Sequence, residues 1–237
     1  ATHQGLFDIA YMRTLPNMVV MAPKDENELR HMLKTSIYHP GPSALRYPRG
    51  SGLGVEMDEE IKEIEIGKGE VIKDGKDLAI IAFGAMVDPS MKTAAMLEES
   101  GISVAVINAR FAKPIDKNLI MEYAKKTGCI VTTEEHSVQG GFGSAVLEAL
   151  QDFDEHIPLK TKCIGVPDIV VEHGAPGIFK KDLKLDPEGM FETICSFINV
   201  TISSKSNGNG AKPSSSNGKN DLKNDIKKSI ATQTANG

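Results

Sequence analysis

From residue 65 to about 200, short apolar runs dense in β-branched residues alternate with amphipathic stretches, and this alternation restricts the fold more than any other feature. The runs are DLAIIAFGA, SVAVINARF, CIVTTEE and a weaker TKCIGVPD. Between them lie MKTAAMLEES, followed by Gly101, then IDKNLIMEYAKKTG and GFGSAVLEALQDF, each amphipathic and each with a stop signal; DPEGMFETICSFINV supplies a last helix. Runs without polar alternation mark strands buried on both faces, as in parallel sheets covered by crossover helices. The expectation is an α/β domain with a mainly parallel sheet over residues 65–200.

The first fifty residues read as helix, strand, helix, strand. GLFDIAYMRTL has apolar residues at helical spacing, and NMVVMAP is a short apolar run ended by Pro23. KDENELRHMLKTSIY opens with acids in its first turn and sets Leu29, Met32, Leu33 and Ile37 on one face, which predicts an amphipathic helix buried on that side. PSALRYP closes the unit as a strand, parallel to the first by the economical crossover. Residues 51–64 are rich in Gly and then in acid, without a sustained period, and read as an interdomain linker. Residues 201–237 are dominated by Ser, Asn, Gly and Lys, with almost no large apolar residue. They are expected to remain a disordered, basic, solvated tail, because they cannot offset the entropy of ordering.

Composition narrows the function classes. No window approaches the ~18 apolar residues of a membrane span. A formal net charge of -5 and the absence of Trp argue against a nucleic-acid partner. Cys129, Cys163 and Cys195 are odd in number, far apart and set among apolar neighbours, which predicts buried thiols and no metal site.

Three stretches could carry chemistry. In THQG, Gly5 permits a close turn while Thr2, His3 and Gln4 offer hydrogen bonds, a pattern open to a site or to a surface loop. In RYPRG, a strand runs into Pro48 and Gly50. Arg49, just past the strand, is the better anion ligand, and Arg46, within it, is expected to pair with an acid. In TTEEHSVQGGFGS, a strand, a glycine-rich turn and a helix imitate a phosphate-binding arrangement. It lacks the Lys and Ser/Thr of a Walker loop and does not fit the dinucleotide fingerprint, so its glycines read as packing or subunit-contact residues.

Taken in order, THQGLFD, LPNMVVMAPKDENELRHML, GPSALRYPRG, ARFAKPID and TTEEHSVQGGFGSAVLE resemble 1-deoxy-D-xylulose-5-phosphate synthase, a thiamine-diphosphate enzyme family related to transketolase. THQ, PNM and the P-x-D-x-N-E pattern are shared with transketolase; THQGLFD with RYPRG favours the synthase. The resemblance implies condensation of pyruvate with glyceraldehyde 3-phosphate, with loss of carbon dioxide, for isoprenoid, thiamine and pyridoxal synthesis. It implies a homodimer using thiamine diphosphate and Mg2+ in the bacterial cytoplasm or plastid stroma. Residues 1–50 would be the second half of a pyrimidine-binding domain, and residues 65–200 the transketolase C-terminal domain. His3 falls on the family's active-site His, suited to bonding a substrate oxygen whose charge changes as carbon dioxide leaves. Arg49 falls on the Arg suited to the phosphate of glyceraldehyde 3-phosphate.

The same resemblance implies what the sequence lacks. The family's diphosphate and magnesium motif and its catalytic Glu belong to segments not found between Ala1 and Gly237, and Glu134 and Glu135 lie in the wrong domain to replace that Glu. The expectation is a C-terminal part of a longer enzyme, neither binding the cofactor tightly nor turning over alone. Rival readings are a transketolase, a 2-oxo-acid dehydrogenase E1 β-like subunit, or a non-catalytic dimerisation module.

Overall fold

The computed structural model describes residues 5–153, 157–172 and 174–199. The first fifty residues form α1 (Asp8–Thr14), β1 (Val19–Met21), α2 (Glu26–Tyr38) and β2 (Ser43–Leu45). Then come β3 (Glu70–Lys73), β4 (Leu78–Ala82), a short 3-10 turn, α3 (Val87–Glu99), β5 (Val104–Asn108) and β6 (Phe111–Lys113). The chain continues through α4 (Lys117–Thr127), β7 (Cys129–Ser137), α5 (Phe142–Gln151), β8 (Lys160–Val166), α6 (Pro176–Asp182) and α7 (Pro187–Phe197).

The larger sheet has the order β3-β5-β4-β7-β8, parallel except for the edge strand β3. Every residue of β4 and β5 is buried, as the unalternated runs require. Leu78, Ile80 and Ala82 face one layer with Ala94 and Leu97 of α3 and Met190 and Ile194 of α7. Ala79 and Ile81 face the other, with Ile120 and Ala124 of α4, Phe142 and Val146 of α5, and Ile9 of α1. Helix starts follow local chemistry: Asp25, Asp116 and Asp186 each accept a backbone N–H as N-caps of α2, α4 and α7. Gly128 ends α4 at φ 62, a left-handed position that glycine adopts at little cost.

The run SVAVINARF is expected to be one strand and is two, in different sheets. After β5 the chain turns at Arg110, whose φ is 58, and β6 joins the smaller sheet, ordered β2-β1-β6. β1 and β2 are parallel, and β6 lies antiparallel on the other side of β1. The turn is held by charge. Arg110 Nε donates to Glu28 at 2.7 Å and Nη2 to Glu70 at 2.8 Å, while Asn108 Nδ2 donates to the same Glu28 carboxylate. Sequence pattern also gave no sign of β3 or α6.

The expected apolar face of α2 needs correction. Met32 is buried, but Leu33 is 52% and Ile37 71% exposed, whereas Glu28, His31 and Thr35 are inside. Residues 51–64 are without helix or strand, run along the polar face of α2 and take side-chain partners from it. Leu53, Gly54 and Val55 donate backbone N–H groups to Glu26, and Lys62 N–H donates to His31 Nδ1 at 2.8 Å. His31 Nε2 then donates to Asp58, and Ile64 N–H to Thr35 Oγ1. A segment without sheet partners must satisfy its N–H groups with side chains, so it covers polar residues and leaves the apolar ones outside.

Candidate active site

Three pieces of backbone meet where the first fifty residues abut the larger sheet: the turn at Gly5–Leu6, the chain just after β2, and the end of β7. Arg46 ties them together. It follows β2 directly, and its own N–H extends the ladder by donating to Met21 O at 2.9 Å. Its Nη2 donates to Gly5 O at 3.0 Å and to Glu135 O at 2.8 Å, and its Nε lies 3.5 Å from Asp8 Oδ2. The expected acid partner is therefore Asp8, but two backbone carbonyls take the shorter bonds.

Arg49 stands apart. It lies in the exposed stretch beyond β2, with no hydrogen bond or ion pair to another described residue. His3 lies outside the described residues, as do residues 201–237 of the expected tail. The bond from Arg46 to Gly5 nevertheless joins the backbone two positions after His3 to the side chain three positions before Arg49.

The glycine-rich turn after β7 resolves differently from a phosphate loop. Glu134, fully buried, accepts the N–H groups of Phe142 at 2.6 Å and Gly143 at 2.8 Å at the start of α5. The anion position is filled by the chain's own carboxylate. Burial pushes the Glu134 carboxyl up to about 7, with the two backbone N–H groups opposing that shift. The glycines serve close approach: a Cβ on Gly143 would lie 2.7 Å from Thr132 Oγ1 and 2.8 Å from Cys163 Sγ. Glu135 pairs with Lys180 at 2.5 Å.

Cys129 and Cys195 are buried as expected, whereas Cys163 is only half-buried. All three are free, and burial raises the Cys129 thiol to about 12 and the Cys195 thiol to about 11, far from the thiolate needed for attack. Among the described residues, no cluster of His, Cys, Asp and Glu is placed to hold a metal ion, and no helix is long and apolar enough to cross a membrane.

Comparison with known proteins gives the arrangement its family. The family model for the transketolase C-terminal domain matches residues 67–190, more than half of the chain. The chain belongs to the transketolase family. The transketolase pyrimidine-binding domain model matches residues 1–53 as well. Among curated relatives, 1-deoxy-D-xylulose-5-phosphate synthase of Thermosynechococcus vestitus is 58% identical over 195 residues, covering 81% of this chain and 30% of that protein. Synthase 1 of Geobacter sulfurreducens is 53% identical over 189 residues, covering 80% of this chain and 30% of that protein. This transketolase-family chain thus spans about 30% of the length of the curated relatives it matches. Among solved structures, a split-gene transketolase described as an inactive beta4 tetramer superposes with TM-score 0.69 at 33% identity, covering 84% of this chain and 63% of that one. A Pichia stipitis transketolase variant, at 19% identity and TM-score 0.59 over 83% of this chain and 27% of that one, shares the fold.

Sequence reasoning missed two buried polar groups. His136, between Glu135 and Ser137, is fully buried against α1, and nothing local in the sequence distinguishes it from a surface His. The Glu28 cluster left one trace. Asp25-x-x-Glu28 has the form of a capping box, and Glu28 does reach back, to Lys24 N–H at 2.7 Å.

Proposed function

We propose that this chain is the C-terminal part of a synthase that condenses pyruvate with glyceraldehyde 3-phosphate to 1-deoxy-D-xylulose 5-phosphate and carbon dioxide. The identity of 52–58% to curated synthases over stretches that take in both transketolase domains carries this reading. In it, His3 is the catalytic imidazole, hydrogen-bonding a pyruvate-derived oxygen, and Arg49 receives the phosphate of glyceraldehyde 3-phosphate. An exposed guanidinium without a described partner suits that second role, because it gives up no internal ion pair on binding.

Thiamine diphosphate and Mg2+ accompany the proposal. The described residues include no cluster of His, Cys, Asp and Glu able to hold the metal, and no step is assigned through the cofactor. The chain by itself is accordingly proposed to be inactive and to bind thiamine diphosphate weakly at best. Calorimetric titration of the chain with cofactor and Mg2+ should show no micromolar binding.

The function is tested by complementation. The chain is mixed with the portion of the Thermosynechococcus synthase that precedes the matching region, together with cofactor and Mg2+, and assayed with pyruvate and glyceraldehyde 3-phosphate. Formation of deoxyxylulose phosphate by the mixture alone supports the proposal; transfer only from a ketose donor would assign it to transketolase.

One observation favours a second reading. The 33% identical structural relative is described as a split-gene transketolase in an inactive beta4 tetramer. By analogy this chain would be an assembly module that becomes part of an enzyme only with a second polypeptide. Tight association with the complementary part, without turnover, would favour that reading.

A further inference from the structure

Helix α1 begins without a cap of its own. Its N-cap is Phe7, whose side chain accepts nothing, so the first N–H groups need an acceptor from elsewhere. His136 supplies one from 127 positions away: its Nε2 accepts the N–H of Ile9 at 3.1 Å and that of Ala10 at 3.4 Å. The other ring nitrogen, Nδ1, lies 2.8 Å from Ser137 O and donates to it, which fixes the neutral tautomer with Nε2 free to accept. The strand end extends the hold. Ser137 N–H donates to Leu6 O at 2.9 Å, and Arg46 bridges Gly5 O and Glu135 O.

A second arrangement is already furnished. Asp8 Oδ1 is buried without a hydrogen-bond partner and lies 3.9 Å from His136 Nε2. A protonated ring could no longer accept from Ile9 and Ala10 and would confront the positive end of α1. It would instead have a carboxylate waiting within a small displacement.

We propose that His136 is a positioning residue: as neutral imidazole it holds the first turn of α1 and the Gly5–Leu6 backbone, two residues after His3 in sequence, against β7, and on protonation it gives up the Ile9 and Ala10 N–H groups for the Asp8 carboxylate of the same helix. The charged groups facing it are Asp8 on α1, Glu134 on its own strand at 3.7 Å from Nδ1, and Arg46 after β2. Arg13 of α1 is engaged by Gly140 O, Gly141 O and Glu148, and Glu135 by Lys180. From the turn before α5, Gly141 lies close enough that a Cβ on it would sit 2.8 Å from His136 Nδ1. Burial, the largest influence, lowers the ring's affinity for a proton against the opposing pull of the Ser137 and Phe7 backbone and of Asp8, so the ring accepts from Ile9 and Ala10 at neutral pH and releases these two N–H groups on acidification; this exchange of partners is the latch. The consequence for catalysis rests on the function proposed above; the latch itself does not.

The test follows amide hydrogen exchange at Ile9 and Ala10 in the full chain from pH 8 to pH 5, corrected for intrinsic exchange. Wild-type protection should fall at least tenfold on acidification. His136→Gln, which keeps an acceptor near the Nε2 position but does not titrate, should stay protected throughout, and His136→Leu should be unprotected throughout. Should His136→Leu fail to fold, Asp8→Asn decides: removal of the waiting carboxylate should shift the loss of protection to lower pH. Constant wild-type protection, or Asp8→Asn indistinguishable from wild type, overturns the latch. In the complementation assay, kcat should fall tenfold toward acid with the KM for glyceraldehyde 3-phosphate unchanged, and His136→Gln should flatten that profile. An inactive wild-type mixture would count against the proposed function, while the exchange data still decide the latch.

Discussion

The Glu134 carboxylate accepts the Phe142 N–H at 2.6 Å, closing the N-terminus of α5 with an anion from the neighbouring strand. Replacing it by Ala leaves the N–H groups of Phe142 and Gly143 buried and unpaired. A loss of about 3 kcal/mol is expected in urea unfolding, since bonds to a charged acceptor are each worth ~1.5–3 kcal/mol. Titration adds a sign. The folded-state value is raised from 4.5 to about 7, so the folded chain holds more protons than the unfolded one between those values. This group's contribution is complete below the lower value and lost as pH rises through the upper one. Glu134→Gln should remove that part of the pH dependence; an unchanged stability profile would contradict it.

The glycines of the same turn should not be equivalent. A Cβ on Gly141 would sit 2.3 Å from Ser137 O and 2.3 Å from the Glu134 carboxylate, whereas one on Gly140 would meet only Ala10 Cβ at 3.3 Å. Gly141→Ala must displace backbone or expel Glu134 and should cost ~1–3 kcal/mol or more. Gly140→Ala carries a left-handed backbone penalty, its φ being 70, but no severe overlap. Thermal unfolding of the two variants should therefore place Gly141→Ala well below Gly140→Ala.

These contacts mark the limit of what pattern alone could read. β4, β5 and β7 were legible because burial on both faces writes itself as uninterrupted apolar runs. The orientation of α2 was not, since its buried side is chosen by the hydrogen-bonding needs of residues 51–64, and apolar periodicity records nothing of those. The break at Arg110 was hidden for a related reason. A charged residue at φ 58 is made tolerable only by Glu28 and Glu70, which are distant in sequence. Arg49 was placed past its strand by Pro48 and Gly50, but the carbonyl-binding role of Arg46 depends on two other elements and leaves no local trace.

The Glu28–Arg110 pair gives a third prediction. Glu28 is 3% exposed and also accepts from Asn108 and the Lys24 N–H, so Arg110→Ala leaves a buried carboxylate whose nearest remaining cation is the Lys24 ammonium at 3.8 Å. Breaking a buried pair from one side costs about 3–5 kcal/mol, more than the net worth of the pair itself. The double variant Glu28→Gln with Arg110→Met should recover much of that loss, because the buried carboxylate is gone and Glu70 keeps Lys24 as its partner. A double-mutant cycle by chemical denaturation measures it, and strict additivity of the two single effects would refute the coupling.

Arg46 and Arg49 are three positions apart, yet their substitutions should separate cleanly. Arg46 is engaged with Gly5 O, Glu135 O and Asp8, so Arg46→Ala should lower the melting temperature and loosen the Gly5 turn. Arg49 is exposed and has no described partner, so Arg49→Ala should leave melting unchanged. If Arg49 receives a phosphate, removing a charge-assisted contact worth ~1.5–3 kcal/mol should raise the KM for glyceraldehyde 3-phosphate roughly 10- to 100-fold in the complementation assay, without moving that for pyruvate. Arg49→Lys should recover only part, because a single ammonium cannot reproduce two parallel hydrogen bonds. Equal effects on both substrates would remove Arg49 from the phosphate site, and a fall in melting temperature would give it a structural role.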